Sequence, residues 1–467
     1  METNYQEQYR GPARILWLTE TGVTCYPHQL LQSKAEVLDI MGEWNDAEEI
    51  HRRGLELADT QPDSRLRADN RFLLSSVLIK KGRYGEAFDM LEEARRIYQG
   101  LGDSRAAGRA LGEIGNIRRL HGDYDQAMEY YSQHLAIAEQ LDDRAGISQT
   151  IGNMGNVYRV QGDHHRAMEC YRRKAELSEL LGDQQALGLA VGNMGVVYFN
   201  QGDYPRALEH SLRFLHIAEK LGDKRSLGIA LGVMGNIYRQ QGRYSEAMES
   251  YRQQYRTVSE LGDIRSKTYA LGNIGKIYQL QYNYPMAMEY HRRHWALAEQ
   301  LGDKRSVSFA LASLAGLYKT LLAFDKSEKK YRMAIALYRE LKLAPELAET
   351  LNQAAELYLL QGKEEPARVL NAEALAVATG VGKQEVIFSS RLLEARITAR
   401  SDPAAAAGAM RTLSAGQLTL DQRAEVCYHL FKLTGDAVCR REARTAYQEI
   451  YDAVPMLSIK LRLEELT

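Results

Sequence analysis

Apolar and small residues recur along this chain at an interval of forty residues. The clearest copy is the run Ile-Gly-Asn-Met-Gly-Asn-Val-Tyr at 151–158, in which Ile151, Met154, Val157 and Tyr158 have the spacing of one helix face. Near-copies with the same Gly-x-x-Gly core lie at 111–118, 191–198, 231–238 and 271–278. A fixed interval of this length is typical of a solenoid built from repeated units.

Glycine and aspartate occur at the predicted helix boundaries, so each unit is predicted to contain two helices. Gly162 suits the end of the first helix, because a C-terminal cap often needs the positive φ that glycine adopts at little cost. The Asp163 carboxylate can then cap the second helix, along which Ala167 and Tyr171 continue the apolar stripe. The turn position of nine successive units is occupied by Gly42, Gly82, Gly122, Gly162, Gly202, Gly242, Tyr282, Leu322 and Gly362.

This register divides the chain into three parts. We expect residues 1–28 to form an N-terminal cap segment, because Gly-Pro and Tyr-Pro pairs interrupt any helical pattern there. Residues 29–380 carry nine forty-residue units, and beyond them the period fades into a divergent helical C-terminal cap at 381–467. The pattern predicts an all-α fold, an α-solenoid of about nine or ten antiparallel helix pairs.

The run Met154-Gly155-Asn156-Val157-Tyr158, followed by Gly162-Asp163, Ala167 and Tyr171, resembles the tetratricopeptide repeat. Its forty-residue unit is most similar to the longer repeats of Partner-of-Inscuteable-type adaptors, over roughly residues 30–380. The resemblance implies a right-handed superhelix whose first helices line a concave groove that holds extended segments of partner proteins. The sequence departs from the small alanine usual on the second helix at His134, Lys174, Phe214, Gln254 and His294.

A second resemblance concerns the C-terminal part of the chain. The segment from Tyr428 to Asp436, followed by Tyr447 to Tyr451, is similar to the extreme C-termini of bacterial signalling proteins. Those proteins join a nucleotide cyclase or kinase and a STAND-type ATPase to such repeats. The resemblance implies that this chain is the repeat region of a protein of that kind, either excised or standing alone.

The first helix of each unit carries the candidate binding residues. On a helical wheel, Gly155 faces the second helix, whereas Gly152, Asn156 and Arg159 share a separate face that we assign to the groove. Asparagine amides can pair with a peptide backbone, and arginine suits carboxylates. The predicted peptide-binding residues are Asn116, Arg119, Gly152, Asn156, Arg159, Asn236, Arg239 and Lys276, with Phe199, Tyr269 and Phe309 as apolar anchors.

Each of these assignments has a structural alternative. Glycine within a helix costs about 0.8–1 kcal/mol relative to alanine. Gly152 therefore needs a reason, either room for a ligand backbone or close packing between neighbouring repeats. Asn156 could likewise bridge helices within the stack instead of meeting a ligand.

Composition and charge exclude several function classes. The chain has 467 residues, with 60 Lys and Arg against 61 Asp and Glu, so its formal charge of -1 creates no general field for nucleic acid or an anionic membrane. No stretch approaches the roughly 18 apolar residues of a membrane span, and the N-terminus lacks a signal-peptide pattern. We therefore expect a cytoplasmic protein without membrane insertion and without nucleic-acid partners.

Signatures of catalysis, cofactors and metals are absent from the sequence. The Gly-x-x-Gly motif lies within predicted helices and not after a strand, and no nucleophile signature is present. The histidines at 164–165, 291 and 294 lack companion ligands, so we interpret them as surface residues. The four cysteines form no Cys-x-x-Cys pair and are expected to be free thiols. We expect no enzyme activity, no cofactor and no metal.

Two functions agree with this sequence. The first is a non-enzymatic adaptor that binds an extended protein or peptide segment along its groove. The second is a ligand-sensing regulatory region of a larger bacterial signalling protein, since solenoids flex where each unit touches only its neighbours.

Overall fold

The computed structural model describes residues 31, 33–35, 37–38, 44–60, 63–454 and 456–467. The predicted N-terminal cap at 1–28 lies outside this part of the chain. All regular secondary structure in the described residues is helical, as the fold prediction requires.

Twenty-two helices follow one another from Trp44 onward. They are α1 Trp44–Asp59, α2 Ser64–Lys80, α3 Tyr84–Gly100, α4 Ser104–Leu120, α5 Tyr124–Gln140, α6 Arg144–Val160, α7 His164–Leu181, α8 Gln184–Asn200, α9 Tyr204–Leu221, α10 Lys224–Gln240, α11 Tyr244–Leu261, α12 Ile264–Leu280, α13 Tyr284–Leu301, α14 Lys304–Thr320, α15 Phe324–Glu340, α16 Ala344–Leu360, α17 Glu364–Gly380, α18 Gln384–Thr398, α19 Pro403–Ser414, α20 Leu420–Thr434, α21 Ala437–Ala453 and α22 Leu457–Glu465.

The predicted turns set the helix ends. Gly162 has φ +80°, and the Asp163 carboxylate accepts the Arg166 backbone N–H at 3.0 Å to cap α7. Tyr282 and Leu322 hold the same left-handed conformation, with φ of +60° and +56°, where other units use glycine. A side chain in this region costs on the order of 1 kcal/mol, so the turn geometry is imposed by the repeat and not by the residue.

The chain divides into two compact units, one within Met1–Ile117 and Asp125–Thr150, the other within Arg118–Tyr124 and Ile151–Thr467. In the second unit each even-numbered helix packs against the odd-numbered helix that follows it. The even-numbered helices also contact one another in sequence, α8 to α10 and on to α18. We call this series of first helices, together with the end of α6 from Ile151, the first-helix row. The α-solenoid is confirmed.

One tyrosine of the second helix recurs in the core of these pairs. Tyr171, Tyr251 and Tyr331 are each at most 1% exposed, and Tyr131 occupies the same register position in the first unit. Full burial of a ring contributes on the order of 2 kcal/mol of hydrophobic stabilisation. The forty-residue register therefore places a ring at the centre of most pairs.

The C-terminal helices form a cap with its own core. Tyr428 of α20, Tyr447 of α21 and Leu466 beyond α22 are all at most 3% exposed and pack in one cluster. Cys427 and Cys439 adjoin this cluster as free thiols. The last helix pair thus joins α22 through side-chain packing.

Residues between the end of α21 and the start of α22 also contact turns that lie much earlier in the chain. The Ser458 backbone N–H donates to the Tyr282 hydroxyl at 2.6 Å, across 176 positions of sequence. Val454 lies against Gly242, where a methyl carbon added to the glycine would be 2.3 Å from Val454 Cγ1. We call these two contacts the C-terminal clasp.

We predict that Gly242→Ala destabilises the protein more than Gly202→Ala does. Both glycines have positive φ, so each substitution costs on the order of 1 kcal/mol of strain. Open space surrounds Gly202, whereas a methyl group at Gly242 presses on Val454, which adds about 1–3 kcal/mol or releases the clasp. Urea unfolding, together with amide hydrogen exchange of α22, measures the difference. Equal losses in both variants would contradict the clasp.

Candidate functional site

The predicted asparagines each accept a hydrogen bond from a tyrosine of their own repeat. Tyr131 Oη donates to Asn116 Oδ1 at 2.7 Å, and the same bond joins Tyr171 to Asn156 and Tyr251 to Asn236 at 2.8 Å. Asparagine therefore bridges the two helices, which is the structural alternative given above. In Asn156 and Asn236 the bond uses the acceptor, so the amide Nδ2 group is left as a donor.

The same pairing explains why the asparagine is sometimes missing. Where Ser211 replaces the tyrosine, Val196 stands in place of asparagine, and the Ser211 hydroxyl donates to the Ala207 carbonyl at 2.8 Å. Where His291 replaces the tyrosine, Lys276 stands in place of asparagine. A buried phenol needs an acceptor, and in these units the asparagine is absent where the phenol is absent. Tyr331 is an exception, because Gly316 stands at the asparagine position and the Tyr331 hydroxyl donates instead to Gln353 at 3.3 Å.

Gly152 does not face an open groove, so that part of the prediction is wrong. It is buried, and a methyl carbon added there would lie 2.8 Å from Lys174 Cδ. A methyl carbon added to the corresponding glycine of four other units would likewise lie 2.6–2.8 Å from a second-helix side chain. The pairs are Gly112 with His134, Gly192 with Phe214, Gly232 with Gln254 and Gly272 with His294. These partners are the large second-helix residues that depart from the usual alanine. Each glycine thus makes room for one of them.

Gly155 meets the second helix as predicted. A methyl carbon at this position would lie 2.9 Å from the Tyr171 ring. Ten helix glycines, two in each of five units, together cost on the order of 10 kcal/mol of helix propensity. Because a larger side chain fills the space beside each glycine, van der Waals contact offsets that cost.

His291 and His294 are buried, not on the surface as predicted. They are 1% and 4% exposed, since Gly275 and Gly272 leave room for their rings. Both ring nitrogens of each residue lack a hydrogen-bond partner. Burial lowers the pKa of His291 to about 3 and that of His294 to about 4, so both imidazoles are neutral at pH 7.

The arginines predicted to bind a ligand have no carboxylate partner among the described residues. The Nε atoms of Arg119 and Arg159 are buried without a partner, and Arg239 donates to Gln240 at 3.4 Å. Within the described part of the chain, none of the three forms an ion pair with a carboxylate. Lys276 lies near Arg239, and desolvation together with this neighbouring cation lowers the pKa of the Lys276 ammonium.

Two arginines at the start of second helices differ from these cations because they form ion pairs. Arg206 lies 3.4 Å from Asp203, and Arg243 lies 2.9 Å from Glu246. These pairs cancel charge at the start of the second helices. On the first helices, by contrast, Arg119, Arg159 and Arg239 have no such carboxylate partner among the described residues.

The three predicted apolar anchors have different surroundings. Phe199 is half-buried and its ring centroid lies 5.9 Å from that of Tyr204. Tyr269 is 36% exposed, the most open of the three. Phe309 packs edge to face with Tyr338 at 5.9 Å.

Phe309 lines a cleft of about 420 Å³ across α12, α14 and α16. Lys276 and His291 border it on one side, and Glu346 and Glu349 on the other. The glutamates are already paired, Glu346 with Arg305 at 3.5 Å and Glu349 with Lys383 at 3.0 Å. We call this space the row cleft.

Of the binding residues predicted from the sequence, only Lys276 and Phe309 line the row cleft. Five other residues that line the cleft were not predicted as binding residues: His291, Gly316, Tyr338, Glu346 and Glu349. Gly316 was detectable, because it stands at the register position that asparagine holds in Asn116, Asn156 and Asn236.

Metal and membrane sites are not found in the described residues. They contain no grouping of three or more His, Cys, Asp or Glu side chains able to ligate a metal ion. Nor does any helix that the structure describes combine the length and apolar character needed to cross a bilayer.

Comparison with known proteins identifies the repeat. A tetratricopeptide repeat model matches residues 29–100, 104–179 and 185–257, and a second tetratricopeptide repeat model matches 270–305. Together they cover more than half of the chain. The chain belongs to the tetratricopeptide repeat family. No curated protein matches it in sequence.

A solved Rap protein structure shares this fold. A Rap protein complexed with competence and sporulation factor is 15% identical, with a TM-score of 0.55 over 76% of this chain and 99% of that one. A STAND protein with a tetratricopeptide repeat sensor from Pyrococcus horikoshii is 15% identical, with a TM-score of 0.43 over 72% of this chain and 51% of that one. Likeness at this identity shows the fold alone.

We predict that Gly192→Ala lowers the free energy of unfolding by about 1–3 kcal/mol, because the added methyl meets the buried Phe214 ring at 2.7 Å. Gly152→Ala should change it by less than about 1 kcal/mol, because the Lys174 tip can move and alanine favours the helix. Urea unfolding of both variants is the measurement. Gly408→Ala, in open space on α19, controls for helix propensity. Equal destabilisation by both substitutions would contradict the size-matching explanation.

Proposed function

We propose that this tetratricopeptide repeat protein is a non-enzymatic scaffold that binds an extended, acidic segment of a partner protein along its first-helix row. The observation that supports the proposal is that Arg159 and Arg239 on this row form no ion pair with a carboxylate among the described residues. Partly buried cations without carboxylates lose hydration and gain no ion pair, so an anionic ligand would stabilise them.

The bridging asparagines give this surface a second means of recognition. Asn156 and Asn236 hold their side chains fixed through Tyr171 and Tyr251, and their Nδ2 donors remain half-buried on the same helices as the arginines. Such N–H groups can donate a hydrogen bond to a peptide carbonyl oxygen whatever side chain follows. Fixed donors lose little conformational entropy on binding, which favours affinity.

A protein of similar fold supports a ligand-binding role. The Rap protein was solved in complex with competence and sporulation factor. Transferred to this chain, that likeness favours binding of a factor over catalysis, and the cations described above indicate that the ligand is acidic.

The C-terminal clasp supports a second candidate, a regulatory region that responds to its ligand. Val454 and Ser458 connect the cap to the turns at Gly242 and Tyr282. A ligand that changes the spacing of the intervening helices would strain or release this contact. Ligand-dependent hydrogen exchange at α22 would favour this candidate over a static adaptor.

We predict that the double variant Arg159→Glu with Arg239→Glu loses at least about tenfold in affinity for acidic peptides. Peptides are selected from a displayed library of random ten-residue sequences on the wild-type protein. Fluorescence anisotropy then measures their affinity at two salt concentrations, and binding should weaken as salt screens the charges.

The matched control reverses two exposed arginines of the second helices, Arg172→Glu with Arg256→Glu. It carries the same change in net charge but should bind as wild type does. If both double variants lose affinity equally, the effect is general electrostatics and the assignment to the first-helix row is wrong. If wild type selects no peptides, the proposed function fails.

A further inference from the structure

Gly316 lies inside α14, yet packing does not require a glycine there. A methyl carbon added to it would meet only the Tyr331 hydroxyl, at 3.7 Å. In contrast, at the preceding position of the register, the contacts of Gly155, Gly235 and Gly275 are all shorter than 3.0 Å. Since glycine destabilises a helix, its presence at 316 calls for a reason other than the fold.

The repeat register shows what this glycine leaves open. The same position holds Asn156, Val196, Asn236 and Lys276 in the preceding units of the row. At Gly316 the missing side chain exposes the α14 backbone at the floor of the row cleft. The absence of a side chain at this position leaves more room in the cleft.

The walls of the row cleft are suited to a ring. Phe309 and Tyr338 meet edge to face with centroids 5.9 Å apart, and Leu280 also borders the space. Aromatic groups favour such offset and edge-on neighbours. The volume of about 420 Å³ lies within the range of roughly 300–1,000 Å³ found for ligand sites.

Two polar groups of the row cleft lack partners. His291 is 1% exposed and lines the cleft, and neither ring nitrogen is hydrogen-bonded. A buried polar group in this state is destabilising unless something satisfies it. Lys276 is exposed at the rim and forms no close ion pair there, since Glu346 pairs with Arg305 and Glu349, which influences the Lys276 ammonium from further away, pairs with Lys383.

We propose that the row cleft anchors the bound segment by taking an aromatic side chain whose neighbour in the peptide is an acidic residue. The ring lies over Gly316 between Phe309 and Leu280, and the acidic side chain pairs with Lys276. This inference rests on the proposed function and names the ligand chemistry at one point of the same surface. Charge complementarity at Lys276 selects the acidic neighbour.

The test is a double-mutant cycle between protein and peptide. A peptide selected on wild type is compared with its aromatic→Ala version, each measured by anisotropy on wild type, Gly316→Ala and Gly316→Leu. We expect a loss of about tenfold or more from either Gly316→Leu or the peptide change, and little further loss from both together. Lys276→Glu should shift the preference from an acidic to a basic neighbour.

Stability separates this effect from misfolding. Gly316→Ala should raise the Tm, because alanine favours the helix, while it weakens binding of the aromatic peptide. Gly408→Ala and Gly408→Leu, on the exposed face of α19, should leave affinity unchanged. A destabilised fold cannot give a higher Tm with weaker binding.

Three outcomes would overturn the inference. The selected peptides could lack an aromatic–acidic pair, the losses from Gly316→Leu and from the aromatic→Ala peptide could add independently, or Lys276→Glu could leave the preference unchanged. In each case, peptides that still depend on Arg159 and Arg239 would leave the proposed function standing. Absence of any peptide binding would overturn both.

Discussion

Complementary size between the two helices of a repeat is the constraint on which this structure depends. A glycine on the first helix and a large residue on the second fill one space together, as Gly192 does with Phe214 and Gly232 with Gln254. Neither residue would be favourable alone, because glycine weakens its helix and the large side chain needs the room. Each pair is therefore local to its own unit and can vary in identity from one repeat to the next.

The binding surface follows from the same constraint. Tyr171 lies over Gly155, and its hydroxyl reaches Asn156, so packing in the pair also fixes a polar side chain of the row. Where the tyrosine–asparagine hydrogen bond is missing, at His291 and at Gly316, the surface has a cleft and an unpartnered imidazole. Regular repeats thus provide an even set of donors and cations, and an irregular repeat provides a distinct position along it.

Much of the fold could be predicted from the sequence, because its signals are local. Gly162 and Asp163 define a turn and a cap wherever they occur, and Gly155 was correctly placed against the second helix. Gly152 and His291 were misplaced for a physical reason. A helical wheel gives the direction of a residue, but not the length of the side chain that meets it from 22 positions later, such as Lys174 over Gly152.

The row cleft could be predicted only in part for a related reason. Lys276 and Phe309 lie on first helices and could be assigned to a face. Glu346 and Tyr338 join them through the packing of successive units, which the forty-residue period alone does not specify. Gly316 could have been recognised from the sequence, since it stands at a register position where the preceding units have a polar or bulky residue.

The C-terminal clasp limits how this array can change in length. Repeat proteins commonly gain and lose whole units, because each unit contacts only its neighbours. Here Ser458 must meet Tyr282, and Val454 must meet Gly242, at a separation set by the helices between them. Duplication or deletion of one forty-residue unit in that interval would change this separation, so that Ser458 and Val454 could no longer contact Tyr282 and Gly242. The clasp therefore requires this number of repeats between the turn at Gly242 and the cap, while the N-terminal side of that turn is free of this restriction.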